Sequence, residues 1–192
     1  MIDSDIVPAA MSPSFIDFGA YQRPYTGAEV TRIDRAGGKF KIVFVLPPLV
    51  DGRAMVSKLI RAKKEGIRVG LPLLGQSQGT PGTPLVDGAG QSGTTLNIKG
   101  LLAGYTVKEG YWLSIVQSGR YYLHNIAATA SADSSGDLAA TIFPALRTAF
   151  SDGAVIALDK PKIEGFIEGN EQVWEISAEL HTGIEFSVEE FS

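Results

Sequence analysis

The sequence contains no cysteine. That one absence removes disulfides, thiolate-bound zinc and a cysteine nucleophile together, and it fits synthesis in a reducing cytoplasm. The opening Met1-Ile-Asp-Ser-Asp-Ile-Val-Pro8 lacks the basic and apolar segments of a secretory signal. No apolar run approaches the ~18 residues of a helical membrane span. Histidine is scarce: His124 and His181 lie far apart, and neither has a His or Cys neighbour at ligand spacing. Each is expected to be an ordinary strand residue. Basic charge is missing from the C-terminal end. After Lys162 no Lys or Arg follows, while Glu164, Glu168, Glu171, Glu175, Glu179, Glu185, Glu189 and Glu190 do. The net charge of −4 therefore divides into +4 before residue 164 and −8 from residue 164 onward. A nucleic-acid binder shows the opposite, a dominant basic face interleaved with aromatics.

What is present is a folded composition: 44% hydrophobic and 20% charged residues, with 22 glycines and 10 prolines. Frequent turns favour short strands over long helices. The first 38 residues read as a turn-rich arm or strand-loop segment. Phe40–Leu46 is β-branched and aromatic and stops at Pro47-Pro48, which predicts a strand. Asp51–Glu65 has helical periodicity, with Met55, Val56, Leu59, Ile60 and Ala62 on one face. Asp51 is the expected N-cap and Gly66 the C-terminal stop. Arg53, Lys58, Arg61, Lys63, Lys64 and Arg68 make this the most basic stretch, and those in the last turn suit the helix dipole.

Ile67–Leu71 predicts a strand, and the Gly/Pro-rich residues 72–93 predict a long loop. Further strands are expected at Thr94–Lys99, Tyr111–Val116, Arg120–Ile126, Leu138–Phe143, Ala154–Asp159, Val173–Leu180 and Gly183–Val188. The second and third of these form a hairpin turning at Gln117–Arg120. The chain is thus expected to be mainly β with one flanking helix. One unit, residues 1–92 and 158–192, draws strands from both chain ends. A small β-barrel, OB-like, is inserted at 93–157. A single larger sandwich is the competing architecture.

Several patterns invite chemical readings. Gly88-Ala-Gly90-Gln-Ser-Gly93 matches G-x-G-x-x-G, but a strand rather than a helix follows, so no pyrophosphate site is expected. Asp133-Ser-Ser-Gly-Asp137 echoes a calcium loop without its downstream bidentate glutamate, and a polar turn explains it. The C-terminal glutamates could pair as in a glycosidase, yet their alternation on strands points to a solvated face. Tyr111, Trp112, Tyr121 and Tyr122 are the residues that could form a glycan or partner surface. No catalytic, metal or cofactor residue is expected.

One resemblance spans roughly residues 38–192. Val45-Leu-Pro-Pro-Leu49, the amphipathic helix, Thr95-Leu-Asn-Ile-Lys-Gly100 and Gly110-Tyr-Trp-Leu-Ser-Ile115 carry its first half. Tyr121-Tyr-Leu-His124, Ala132-Asp-Ser-Ser-Gly136 and Ile142-Phe-Pro-Ala-Leu-Arg147 carry the second. This order resembles the distal tail and minor tail (tail-tip hub) proteins of long-tailed bacteriophages. The resemblance implies a tail-tube-like β-sandwich hub with an inserted outer β-domain, assembled as a ring that is commonly a hexamer. It also implies a structural virion protein at the tail tip, made in the host cytoplasm. Its partners would be further copies of itself, the tail tube protein and tip hub proteins, with DNA passing through the lumen without specific binding. A carbohydrate-binding module contacting host surface glycans is the competing function, and a glycan hydrolase is a third.

Overall fold

A computed structural model describes residues 2–4, 7–23, 25, 31–33, 35, 37–73, 75–176 and 182–191. His181 and Glu179 lie outside the described residues, as does the end of the strand expected at Val173–Leu180.

The chain begins with β1 (Ile2–Ser4), β2 (Ala10–Ile16), and the short pair β3 (Ala20–Gln22) and β4 (Thr31–Ile33). Then comes β5 (Lys39–Val45), in which Phe40, Ile42 and Phe44 are buried while Val43 and Val45 are not. That period of two is what a sheet with one covered face requires. Helix α1 (Arg53–Glu65) follows. It buries Met55, Leu59 and Ala62, worth about 1.5–3 kcal/mol for each large side chain. Ile60, expected on the buried face, is 53% exposed. The residue at the helix start is Gly52, not Asp51, and it makes no side-chain cap. A Cβ there would come 2.6 Å from the Thr182 side chain, so glycine lets the helix start press onto the sheet. Asp51 instead accepts from the Arg53 backbone N–H and guanidinium, at 3.3 and 2.9 Å. At the other end Gly66 takes φ +75° and closes onto Ala62, as the sequence suggests.

After β6 (Ile67–Gly70) the chain leaves this sheet. It returns with β15 (Lys162–Ile167), β16 (Trp174–Ile176) and β17 (Thr182–Glu190). The order is β1-β6-β15-β17-β5-β2, with β16 also on β17. Among the described residues, only the β1–β6 pair is parallel. The covered face of this hub sheet packs on α1 and on Leu123 and Trp112 from the inserted segment.

That segment supplies β7 (Gly82–Val86), β8 (Gly93–Leu101), β9 (Thr106–Val107), β10 (Trp112–Gln117), β11 (Arg120–Ile126), β12 (Ala130–Ser131), β13 (Leu138–Leu146) and β14 (Val155–Ala157). Six of them close a barrel in the order β10-β11-β13-β8-β7-β14. The five strands expected here are all barrel staves. The sixth, β7, lies inside the stretch read as a loop. Strand β15, in the middle of the hub sheet, is also absent from the strands read in the sequence. Leu96, Ile98, Leu113, Ile115, Ile126 and Ile142 fill the barrel with almost no exposure. The chain enters and leaves the barrel at one place, where the Leu71 N–H donates to Pro161 C=O at 2.9 Å. The protein is therefore mainly β, with half of it strand, one helix and a closed six-stranded barrel among the described residues.

Candidate functional site

The polar chemistry of this protein concentrates where the barrel meets the hub sheet. Glu190, at the end of β17, has a side chain only 2% exposed. Its Oε2 accepts from the Phe40 N–H on β5, and its Oε1 from the Leu123 N–H on β11, each at 2.8 Å. Oε1 also accepts from Arg147 Nη2 at 2.8 Å. One carboxylate thus ties two hub strands to β11 and to Arg147, just past the end of β13. Burial raises its pKa, and Arg147 and the two N–H donors pull it back.

Glu164, on β15, has a side chain 1% exposed. Its Oε2 accepts from Arg68 Nε and Nη2, at 2.9 and 2.7 Å, and from the Tyr121 N–H at 3.3 Å. Arg68 Nη2 also donates to Gly119 C=O at 2.7 Å. The reading of all eight C-terminal glutamates as a solvated face therefore fails for two of them. Glu190 answers one backbone N–H from the hub and one from the barrel, whereas Glu164 answers a barrel N–H and the Arg68 guanidinium, since a carboxylate can accept from both sides. Glu168, Glu171, Glu175 and Glu185 are exposed, as expected. Glu189 is half-buried and pairs with Lys39 at 2.7 Å.

The junction has two further polar ties. Gln78 is 3% exposed; its side chain takes the Trp112 N–H and donates to Trp112 C=O, both at 2.7 Å, and it also donates to Leu158 C=O. Ser114 Oγ accepts from the Lys162 N–H at 3.0 Å. Such a set fixes two bodies against each other. It offers no exposed nucleophile and no open carboxylate pair.

The four aromatics singled out in the sequence are all half-buried, and they divide between two sides. Tyr111 and Tyr122 pack against the barrel core, with Tyr122 edge-on to Phe150 at 5.4 Å. Trp112 packs edge-on to Phe40 in the hub core at 5.0 Å. The Tyr121 ring carries the Arg68 guanidinium 4.2 Å from its centroid. Strand alternation explains this division, since Tyr121 and Tyr122 are neighbours and must face opposite ways.

The other sequence candidates resolve simply. His124 is fully buried, with Nδ1 2.9 Å from Pro144 C=O. Burial, helped by the nearby Arg147 charge, lowers its pKa to about 3, so the ring is neutral. Gly88–Gly93 is a hairpin loop between β7 and β8, held by Gly88 N–H to Asp152 Oδ1 at 2.9 Å. Asp133 Oδ1 accepts from the Ser135 and Asp137 N–H groups, at 2.8 and 3.0 Å, which is an Asx turn. Among the described residues no three His, Asp or Glu side chains gather as a metal site.

Outside the junction, the hub sheet carries a groove of about 650 Å³ on its uncovered face. Val43, Val45, Val173 and Trp174 give it apolar walls, and Glu171, Glu175 and Glu185 line it too. Helix α1, with its basic side chains, packs on the opposite face.

No family model matches the chain. A search of curated proteins also finds no match.

Proposed function

We propose that this chain is a structural ring subunit at the distal end of a long-tailed phage tail, joining the tail tube to the tip complex. In this reading the hub sheet is one layer of a tail-tube-like β-sandwich, and the barrel is the OB-like outer domain. The ring, with six copies as its common form, contacts the tail tube protein above and tip hub proteins below. Its role is mechanical rather than catalytic, in the virion.

The observation that most supports this is the state of the hub sheet. Among the described residues it ends at β1 and β2, neither of which has a second neighbour. Its uncovered face is acidic and apolar, while the opposite face carries the basic helix. Unpaired strand edges and oppositely charged faces suit head-to-tail contacts between identical copies, and such contacts form a ring when their rotation closes. Exposed glutamates turned toward the lumen would repel DNA and let it pass.

Native mass spectrometry of the purified protein, followed by negative-stain imaging, tests the proposal. A closed ring near six subunits is the expected result. A monomer that stays a monomer when mixed with tail tube protein would overturn it. Glutamates found on the ring's outer wall would remove the lumen assignment alone.

A further inference from the structure

A second cavity, of about 590 Å³, opens where the N-terminal arm meets the end of β13. Its lining holds three guanidinium groups, Arg32, Arg35 and Arg147, against one carboxylate, Asp17. Phe15 and Phe143 supply the apolar part. Their rings lie 4.8 Å apart, tilted by 54°, and remain 37% and 47% exposed. Gly38 makes room for this shelf, since a Cβ there would come 2.4 Å from the Phe15 ring.

The charges here are incompletely matched. Asp17 is taken by Arg32 at 2.6 Å. Arg147 reaches Glu190 through Nη2, but its Nε and Nη1 have no hydrogen-bond partner, although the side chain is only 8% exposed. Glu190 already serves Phe40 and Leu123, and it meets Arg147 through Nη2 alone. Arg35 is exposed on the cavity lining. Buried charged donors without acceptors are costly, and an acceptor brought by a ligand would relieve that cost. A carboxylate matches a guanidinium fork in both geometry and charge.

We propose that this cavity binds an acidic sugar residue, its carboxylate toward Arg35 and Arg147 and its C–H face on Phe15 and Phe143. A single short pocket favours one compact ring. Single-stranded nucleic acid would need a basic track with repeated stacking positions, which the lining does not provide. The site is independent of the ring assignment, so either can fail alone. It also moves the carbohydrate contact away from Tyr111, Trp112, Tyr121 and Tyr122, whose rings are already engaged.

Isothermal titration calorimetry of the full chain decides the matter. The probes are galacturonate, glucuronate-containing and sialylated oligosaccharides, the methyl ester of each, and an oligothymidylate. At least one acidic saccharide is expected to bind saturably, with its ester about tenfold weaker. Arg35→Ser and Phe143→Ser should each weaken binding about fivefold or more, and Arg35→Ser should leave the thermal midpoint unchanged. Arg35 sits on the exposed arm, so its variant keeps the test interpretable if the other folds poorly. Binding to none of the saccharides, equal binding of acid and ester, or undiminished binding by Arg35→Ser would each overturn the assignment. Variant-sensitive binding of oligothymidylate without saccharide binding would replace it with a nucleic-acid site.

Discussion

The six barrel strands pair all the way round and enclose an apolar core, with His124 as its buried polar member. The hub sheet instead stops at β1 and β2, leaves one face uncovered, and completes its other face with α1 and barrel residues. The barrel satisfies its backbone through closure; the hub borrows part of its satisfaction from a neighbour. Glu190 and Glu164 stand at that boundary and accept N–H groups from the barrel side. The two most deeply buried carboxylates have been placed where two β-structures meet rather than within either one. That placement favours one docking geometry, since a shifted barrel would leave a carboxylate buried and unpaired.

Breaking the boundary should have the largest effect. Arg147→Ala removes the cation from a nearly inaccessible Glu190 and is expected to cost about 3–5 kcal/mol in a urea titration. Next, each half can be disturbed from within. A Cβ at Gly165 would meet Glu189 C=O at 1.8 Å in the hub, and one at Gly136 would meet Leu101 C=O at 2.1 Å in the barrel. Gly165→Ala and Gly136→Ala should each cost about 1–3 kcal/mol. Hydrogen exchange should show β15 and β17 loosening in the first and β8 and β13 in the second. Equal loss of protection everywhere in both variants would show instead that hub and barrel unfold as one unit.

A smaller, graded effect comes from pH. His124 is neutral in the fold down to about pH 3, whereas the unfolded chain protonates it near its ordinary value of 6.5. Between those values the unfolded state binds more protons, so stability should fall as pH drops from about 6.5 toward 3. Replacing His124 by Asn should flatten that part of a denaturation-midpoint series; an unchanged slope would assign it to the carboxylates. The smallest effect is expected at Lys99, which pairs with Asp152 on the barrel surface at 2.6 Å. Solvent screens such a pair, and Lys99→Ala should leave the thermal midpoint essentially where it was.

Alternation and periodicity made β5, α1 and β17 legible in the sequence, because each has one buried face and one wet face. The β10–β11 hairpin was legible from its turn at Gln117–Arg120, although both its faces are covered. Strand β7 escaped because Gly-Thr-Pro-Leu-Val is short, carries a proline, and sits among turn residues. Strand β15 escaped for another reason: Lys-Ile-Glu-Gly-Phe-Ile places a charged residue and a glycine in the middle of a buried strand. Gly165 is there because the backbone of β17 passes too close for any side chain. The junction itself was the least legible feature. Glu190 and Glu164 belong to a glutamate-rich tail, and their cations, Arg147 and Arg68, stand 43 and 96 residues away. No local pattern separates a buried acid of this kind from its solvated neighbours. The aromatic four were visible as residues, but not the division of their rings between two cores.

The adjacent entry and exit of the barrel at Leu71 and Pro161 bear on how such a chain can diversify. A segment that leaves and rejoins a sheet through one hydrogen-bonded pair can be lengthened, exchanged or excised while the host strands keep their register. Glu190 and Glu164 set the terms of such an exchange. Any replacement module must present backbone N–H groups, and for Glu190 a cation as well, at the same two points. Lineages carrying this hub would then vary freely over the far end of the insert and hardly at all around its base.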